Sequence, residues 1–183
     1  MVKDWEKLNS EILGDYRIFR SRKDTRRSPR TGHIHQFYVL EAADWVNVIP
    51  LTPDDKVVMV HQFRHGRETV CLEIPGGIVD DTDDTPGEAA RRELLEETGY
   101  IADHIIYLGS VDPNPAFLNN QLHTFLALGA RQTQKPEFDG AEDIAIEEIP
   151  LSDIPTLIRN GRITHALVVA AFYHYENFVS GNQ

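Results

Sequence analysis

The sequence predicts an α+β fold in which strands dominate and helices cluster in the middle and at the end of the chain. Short apolar stretches with strand character recur along the 183 residues. One helix with clear end signals follows near the middle, and two more helical stretches close the chain. Because this order is not a regular βαβ alternation, we expect α+β or α/β/α layers.

The predicted elements follow one another after a polar opening. Residues 1–35 contain short alternating stretches that suit edge strands or an arm. Strands are predicted at residues 36–42, 45–51, 57–63, 70–74, 105–111, 121–128 and 144–149, and helices near residues 152–160 and 164–178. No repeat or linker stands out in the sequence, so we predict an N-terminal arm, residues 1–35, and one domain, residues 36–183.

The central helix, predicted at residues 86–98, has the clearest local signals. Thr85 offers an N-cap hydroxyl, Pro86 suits the first helical position, and Glu88 supplies the reciprocal carboxylate of a capping box. Gly99 supplies the C-terminal stop. These signals predict both ends of the helix.

Composition excludes several classes of protein. Hydrophobic residues make up 41% and charged residues 26% of the chain, which is enough for a packed core. The net charge of −11 argues against nonspecific nucleic-acid binding. The longest apolar run, residues 166–173, is too short to span a membrane, and the opening residues lack the apolar core of a signal peptide. With a single cysteine and no internal disulfide, we expect a soluble, cytoplasmic protein.

Charge is unevenly distributed along the chain. Seven of the 18 basic residues fall between residues 17 and 30: Arg17, Arg20, Arg22, Lys23, Arg26, Arg27 and Arg30. Acidic residues gather instead at positions 80–84 and 93–97. Most charge runs are solvated surface. The alternative interpretation is one region that attracts anions and another that attracts cations.

Three glutamates share one face of the central helix. Glu93, Glu96 and Glu97 lie at positions i, i+3 and i+4 near the helix C-terminus, where mutual repulsion and the helix dipole both disfavour them. Arg92 can relieve Glu96, whereas the other two have no comparable helical partner. A solvated acidic helix end is one interpretation. The other is a site for a hard divalent cation, Mg²⁺ or alternatively Mn²⁺, with the Gly76-Gly77 turn bringing backbone carbonyls close.

These residues resemble a known family pattern. The stretch from Gly77 to Tyr100, which ends in Arg92-Glu93-Leu-Leu-Glu96-Glu97-Thr-Gly99-Tyr100, resembles the Nudix box, G-x5-E-x7-R-E-U-x-E-E-x-G-U with U apolar. From Arg92 onward the match is complete. Asp84 stands where the family has glutamate, and six residues rather than five separate it from Gly77.

The resemblance extends from about residue 37 to residue 175. Gln62-Phe63-Arg64, followed by Glu73-Ile-Pro-Gly76-Gly77, is similar to the branch that acts on ADP-ribose and nucleoside-diphosphate sugars. Pro115 matches a proline that follows the box in that branch, and Glu142 matches a catalytic glutamate in an acidic loop. The resemblance implies the Nudix fold, a mixed sheet sandwiched between helices.

The implied activity is Mg²⁺-dependent hydrolysis of a nucleoside diphosphate sugar such as ADP-ribose to a nucleoside monophosphate and a sugar phosphate. The resemblance implies metal ligands at Glu93, Glu96 and Glu97, with the carbonyl of Gly76 or Gly77 as a further oxygen ligand. It implies catalytic roles for Glu142, Glu97 and Glu93, with Glu147 and Glu148 as alternatives to Glu142. The implied substrate-binding residues are Arg64, Glu73, Arg26, Arg27, Pro115 and Phe117. It also implies a homodimer whose N-terminal strands cross to the partner subunit.

Several alternatives stay open from the sequence. The substrate could instead be a dinucleoside polyphosphate or a nucleoside triphosphate, and a noncatalytic module that binds ADP-ribose would share the pattern. Trp45 is a second candidate, beside Phe117, for contact with a base. His61 and His65 have a metal-like spacing, but in a strand we expect no helical pair, and Cys71 is expected to be a small buried hydrophobe.

Overall fold

The computed structural model describes residues 1–138 and 143–181. The chain forms two compact units, which are described separately below. The first comprises Met1–Ala43 and Asp112–Gln121, and the second comprises Asp44–Val111 and Leu122–Gln183. The first unit thus contains the predicted arm and continues to Ala43. No helix in the described ranges is long and apolar enough to cross a membrane.

The first unit is built on an antiparallel sheet of three strands. These are β1 (Glu6–Asp15), β2 (Arg20–Arg27) and β3 (Ile34–Glu41), in the order β1-β2-β3. Cross-strand ion pairs join them, including Lys23 to Glu11 at 2.7 Å and Arg27 to Glu6 at 2.9 Å. The predicted short edge strands are therefore longer than expected, because charged side chains opposite one another stabilise polar strands that lack a continuous apolar face.

The second unit contains a mixed sheet. Its strands are β4 (Trp45–Leu51), β5 (Lys56–Arg64), β6 (Thr69–Glu73), β7 (Gly76–Ile78), β9 (His104–Val111), β10 (Leu122–Leu128) and β12 (Ile144–Pro150). A separate pair consists of β8 (Tyr100–Ile101) and β11 (Arg131–Gln132). The main order is β12-β5-β4-β10-β9, with β6 beside β5 and β7 beside β4. The neighbours β4 and β10 run parallel and the other pairs are antiparallel, which makes the sheet mixed.

Helices cover both faces of this sheet. They are α1 (Pro86–Thr98), α2 (Ile154–Arg159), which follows one turn of 3-10 helix at Leu151–Asp153, and α3 (Ala166–Gly181). One core packs Val48 of β4 against Leu94 of α1, and the other packs Ile49 of β4 against Phe172 of α3. Because successive strand residues face opposite sides, β4 contributes to both cores. The predicted α/β/α arrangement is confirmed.

Helix α1 has the predicted bounds and the predicted caps. The Thr85 hydroxyl accepts a hydrogen bond from the backbone N–H of Glu88 at 3.2 Å. Gly99 has φ 71°, in the left-handed region, and its N–H donates to the Leu95 carbonyl at 2.7 Å. A left-handed C-cap favours glycine, which is why the sequence locates the helix end so closely.

Candidate active site

Helix α1 buries two of the three glutamates near its C-terminus along with its apolar face. The side of the helix that packs Leu94 into the core also carries Glu93, which is 9% exposed, and Glu97, which is 3% exposed. The Glu96 side chain is 46% exposed. Burying a carboxylate is costly unless it is paired or hydrogen-bonded, so these two positions require polar partners.

Gly76 and Gly77, which the sequence suggests form a turn, instead begin strand β7, and they supply part of that polar environment. The Gly76 N–H donates to Glu97 Oε2 at 3.0 Å. A Cβ atom at Gly77 would overlap Glu93 Oε1 and lie 2.8 Å from Oε2, and a Cβ atom at Gly76 would overlap the Val46 carbonyl oxygen. Only glycine therefore allows this backbone to approach both the carboxylates and β4. The structure thus brings two of the three predicted carboxylate ligands, Glu93 and Glu97, to the predicted glycines.

Arg92 stands among four carboxylates. Its Nη1 donates to Glu93 Oε1 at 2.8 Å and to Glu96 Oε2 at 3.1 Å. Its Nη2 donates to Asp83 Oδ2 at 2.8 Å and lies 3.5 Å from Asp80 Oδ2. The hydrogen bonds that Arg92 donates to Asp83 and the neighbouring glutamates raise the pKa of Arg92 above its usual value. The Arg92–Glu96 pair is as predicted, but the expectation that Glu93 lacks a helical partner is wrong.

The aspartate that pairs with Arg92 is Asp83 rather than Asp84. Arg92 contacts both oxygens of Asp83, through Nε at 3.1 Å and Nη2 at 2.8 Å. The Arg92 guanidinium lowers the pKa of the Asp83 carboxyl. Five residues separate Gly77 from Asp83, which equals the first spacing of the Nudix pattern. The extra residue therefore lies between this aspartate and Arg92.

A second ion pair, between Arg64 and Glu73, lies on the hairpin of β5 and β6. Arg64 Nε donates to Glu73 Oε1 at 2.9 Å, and Nη2 donates to Oε2 at 2.7 Å. The Glu73 side chain is 3% exposed and that of Arg64 is 40% exposed. The hydrogen bonds that Arg64 donates to Glu73 raise the pKa of Arg64, and the charge of Glu97 contributes to this rise. The pair thus fixes one edge of a guanidinium near the helix carboxylates.

A cleft of about 290 Å³ adjoins these groups. Arg64, Glu73, Gly76 and Gly77 line it together with Trp45, Val46, Asn47, Ile74, Ile78, Leu122, His165, Leu167 and Val168. Trp45, a predicted candidate for ligand contact, is therefore part of its wall. Asn47 and His165 also line the cleft, although neither was predicted as a site residue. The only sequence signal for Asn47 is a polar residue within an otherwise apolar strand, and no signal identifies His165.

The remaining predicted site residues belong to the first unit or fall outside the described residues. Arg26, Arg27, Pro115 and Phe117 belong to the first unit. Arg26 pairs there with Asp24 at 2.9 Å, and Arg27 pairs with Glu6. Glu142 lies outside the described residues.

The residues set aside in the sequence have ordinary surroundings. His61 Nε2 lies 2.8 Å from Glu147 Oε2, and the His65 ring packs edge-on against Phe63. That the two histidines do not form a metal pair stays a prediction. Cys71 is half-buried rather than buried as expected, because it lies near the start of β6, which begins at Thr69 just after the hairpin turn.

The donor set suits a hard cation. No three His, Cys, Asp or Glu side chains within residues 1–138 and 143–181 already converge as a metal site. The groups on α1 are nevertheless carboxylate oxygens, and Gly77 beside them leaves no room for a side chain. Oxygen donors of this kind are the ligands that Mg²⁺ and Mn²⁺ prefer. The residues present therefore fit such an ion chemically.

Comparison with known proteins agrees with this arrangement. A model of the NUDIX domain matches residues 41–172. An ADP-ribose pyrophosphatase of Mycobacterium tuberculosis is 29% identical over 168 residues, which cover 91% of this chain and 81% of that protein. An ADP-ribose pyrophosphatase of Bacillus subtilis is 32% identical over 133 residues, 72% of this chain and 71% of the relative. A crystal structure described as an ADP compounds hydrolase superposes with a TM-score of 0.86 at 21% identity, covering 100% of this chain and 97% of the other.

Proposed function

The chain belongs to the Nudix family of pyrophosphatases, and on that premise we propose that it hydrolyses the diphosphate bond of nucleoside diphosphate sugars, including ADP-ribose. The products would be a nucleoside monophosphate and a sugar phosphate. The proposal rests mainly on one observation, namely that Glu93 and Glu97 lie against Gly76 and Gly77 at the start of β7. The names of the two bacterial relatives support the choice of ADP-ribose.

We propose that Glu93, Glu96 and Glu97, with the carbonyl of Gly76 or Gly77, hold Mg²⁺ or Mn²⁺. The family typically uses a divalent metal, and the donor chemistry of these residues fits one. When bound, such an ion screens the charge of the diphosphate and lowers the pKa of a coordinated water. Arg92 holds two of these carboxylates in place, because it hydrogen-bonds to Glu93 and Glu96.

Arg64 is proposed to bind a phosphate oxygen of the substrate. Two of its five N–H donors are engaged by Glu73, and 40% of its side chain is exposed. A guanidinium fixed along one edge can offer other donors to a phosphate in a charge-assisted hydrogen bond. Glu73 thus acts as a positioning residue for Arg64.

Glu142 is proposed to position or deprotonate the attacking water. The two alternatives already have other partners. Glu147 contacts His61 at 2.8 Å, and Glu148 accepts hydrogen bonds from the Tyr100 hydroxyl at 2.7 Å and from Lys56 at 3.0 Å. Tyr100 and Lys56 lower the pKa of Glu148, which makes it a weaker base.

We also propose a homodimer in which the N-terminal region completes the partner's site. Apolar side chains exposed on the first unit support this, and they include Ile12, Tyr16, Ile18, Tyr38 and Phe117. Strand β2 is central in its sheet, so both of its edges are already paired within the chain. Exchange through β2 would therefore require refolding, and a second copy is expected at an outer edge or on a sheet face. Arg26, Arg27, Pro115 and Phe117 are the residues of this unit proposed to reach substrate.

The deciding experiment is identification of reaction products by mass spectrometry. Purified protein is incubated with Mg²⁺ and, in separate reactions, with ADP-ribose, GDP-mannose, UDP-glucose, a dinucleoside polyphosphate and a nucleoside triphosphate. We expect AMP and ribose phosphate from ADP-ribose. Turnover confined to the last two substrates would contradict the proposal, and so would binding of ADP-ribose without turnover.

A further inference from the structure

The C-terminal end of α1 has no basic residue in its last turn to balance its glutamates. Glu93, Glu96 and Glu97 lie in the last two turns, where their mutual repulsion and the negative end of the helix dipole both favour unwinding. An α-helix also leaves the carbonyl groups of its last residues without partners inside the helix. The last turn of α1, which carries two of the proposed metal ligands, therefore needs hydrogen-bond donors from elsewhere in the chain.

Residues 132–137, which begin at the end of β11, supply those donors and are called the capping segment below. The backbone N–H of Glu137 donates to the Glu96 carbonyl at 2.9 Å. The side-chain Nε2 of Gln132 donates to the Thr98 carbonyl at 3.4 Å. The capping segment thus binds two carbonyl groups of the last turn of α1.

The same segment packs closely against the glycine that ends the helix. The Gly99 carbonyl accepts hydrogen bonds from the N–H groups of Thr133 at 2.9 Å and Gln134 at 3.3 Å. A Cβ atom at Gly99 would overlap the carbonyl oxygen of Gln134. Glycine is therefore needed here for this close approach as well as for its left-handed φ, and main-chain contacts join the segment to the helix end.

The two carboxylates of the last turn are held separately, through their side chains. Arg92 Nη1 donates to Glu96 Oε2 at 3.1 Å, and the Gly76 N–H donates to Glu97 Oε2 at 3.0 Å. These contacts fix the carboxylates only while the backbone that carries them stays helical. If the last turn were helical in only a fraction of the molecules, the apparent affinity for a cation would fall by that fraction.

We propose that the capping segment positions the metal site, because it keeps the last turn of α1 helical before an ion binds. The inference rests on the proposed function, in which Glu96 and Glu97 are among the ligands of Mg²⁺ or Mn²⁺. The N–H of Glu137 is the central contact, since it binds the backbone of a residue that carries one of these ligands. Metal affinity should therefore depend on a main-chain hydrogen bond from a residue that is not itself a ligand.

Two substitutions at one position isolate this hydrogen bond. Glu137→Pro removes the N–H that donates to Glu96, whereas Glu137→Ala keeps it. Both remove the same carboxylate, together with its contact with Gln134 Nε2 at 3.4 Å. Differences between the two variants therefore do not come from the lost charge.

A second pair of variants leaves the backbone donors in place. Gln132→Leu removes the side-chain donor to the Thr98 carbonyl. Gln134→Leu is its matched control, because it makes the same chemical change in the same segment but the Gln134 side chain donates to Glu137 rather than to α1.

Two measurements are made without substrate. Electron paramagnetic resonance of free Mn²⁺ gives the metal affinity, and NMR follows exchange of the Gly99 amide, which donates to the Leu95 carbonyl and so reports on the last turn. We expect Glu137→Pro to bind Mn²⁺ about fivefold more weakly than Glu137→Ala, and its Gly99 amide to exchange about fivefold faster without metal, as one hydrogen bond of ordinary net strength predicts. Gln132→Leu should differ from Gln134→Leu in the same direction by at least about twofold. At saturating Mg²⁺, kcat of Glu137→Pro should return to within about twofold of that of Glu137→Ala, since the ion then holds the turn.

The outcomes separate positioning of the metal site from a purely structural cap. Equal Mn²⁺ affinities of Glu137→Pro and Glu137→Ala would overturn the inference even if the proline variant melts at a lower temperature, and so would a loss of kcat that saturating Mg²⁺ does not restore. If Glu137→Pro does not fold, the comparison of Gln132→Leu with Gln134→Leu decides, and equal affinities there overturn the inference. A parent that binds no Mn²⁺ overturns the metal site and its positioning together. A parent that binds Mn²⁺ and shows these differences, but does not cleave ADP-ribose, overturns the proposed function alone.

Discussion

Two charged clusters in this chain have opposite compositions. In the sheet of the first unit, the fully buried Asp24 is surrounded by cations, with Arg22 Nε at 3.0 Å, Arg26 Nη2 at 2.9 Å and Lys7 Nζ at 3.8 Å. In the second unit, the single cation Arg92 is surrounded by four carboxylates. A carboxylate with several cations is electrostatically complete. A cation outnumbered by carboxylates leaves negative charge that a further cation can neutralise.

The pKa shifts show that both clusters are strongly paired. Burial alone would raise the pKa of Asp24, but hydrogen bonds from Ser10, Arg26 and Arg22 outweigh burial and lower it to about 2. In the Arg92 cluster, the pKa of Asp83 is likewise lowered and that of Arg92 is raised. It is therefore the surplus of carboxylates, and not the direction of these shifts, that leads us to interpret the Asp24 cluster as structural and the Arg92 cluster as functional.

The strongest test removes one charge beside the acid-rich cluster, at Glu97 on the same helix. Glu97→Gln keeps the shape and an oxygen that can accept from the Gly76 N–H, but it removes a proposed metal ligand. We expect kcat to fall by about 10³-fold, while the unfolding free energy without metal is unchanged or slightly higher because repulsion within α1 decreases. Glu88→Gln, at an exposed position in the first turn of the same helix, is the matched control. Full activity of Glu97→Gln at low Mg²⁺ would contradict the assignment.

A second test asks whether the acid-rich cluster needs a residue from outside the described ranges. We expect Glu142→Gln to lower kcat on the order of 10²-fold or more, because it removes the proposed base. Glu147→Gln and Glu148→Gln should each stay within a few-fold of the parent. A steep loss in either of these, with Glu142→Gln nearly unaffected, would transfer the role to that residue.

The corresponding change in the cation-rich cluster should affect stability. Asp24→Asn leaves Arg22 and Arg26 beside a neutral group, and we expect a loss of about 3–5 kcal/mol in the free energy of unfolding. Urea denaturation measures it, with the exposed Asp4→Asn as control. A variant as stable as the parent would show that the buried pairings contribute nothing net.

The same cluster gives a pH dependence with a definite sign. The folded-state pKa of Asp24 is about 2, below the ordinary value of roughly 3.9 expected in the unfolded chain. Its contribution is therefore present above pH ~4 and is lost as the pH falls toward 2, amounting to about 2 kcal/mol. The parent should lose this much more stability than Asp24→Asn between pH 5 and pH 2. Parallel curves for the two proteins would contradict the low pKa.

The smallest effect is expected at Arg27, which tests whether the cation-rich sheet is purely structural. Its ion pair with Glu6 is exposed, so stability should change by less than about 1 kcal/mol in Arg27→Ala. If Arg27 also binds substrate, KM for ADP-ribose should rise several-fold with little change in kcat. Glu6→Ala breaks the same pair without removing the arginine, and it should leave KM unchanged. Equal KM values for the parent and both variants would show that Arg27 does not bind the substrate.

Local signals in the sequence predicted one part of the molecule well. Helix α1 begins and ends where Thr85, Pro86 and Gly99 indicate, since capping depends on neighbours within a few residues. The strands β7, β8 and β11 were not predicted, because two or three residues show no periodicity. Their positions depend on partners far along the chain.

The candidate site divides in the same way. The spacing of the glutamates alone predicts that they share one face of α1. The pattern around Gly77 likewise predicts that the two glycines lie near them. Tertiary packing determines that Asp83, rather than Asp84, pairs with Arg92. It also places Asn47 and His165 in the cleft beside Gly76 and Gly77. Asn47 hydrogen-bonds to Leu167 at the start of α3, which lies 120 residues later in the chain, and no local sequence pattern predicts a contact at that separation.

The bidentate contact between Glu73 and Arg64 also affects conformational entropy. A free arginine side chain carries about 2 kcal/mol of rotamer entropy, which is normally lost when it grips a ligand. Here the buried carboxylate has already restricted that motion in the folded chain. Phosphate would therefore meet a guanidinium that has little freedom left to lose. The restriction is imposed once, at folding, instead of at every binding event.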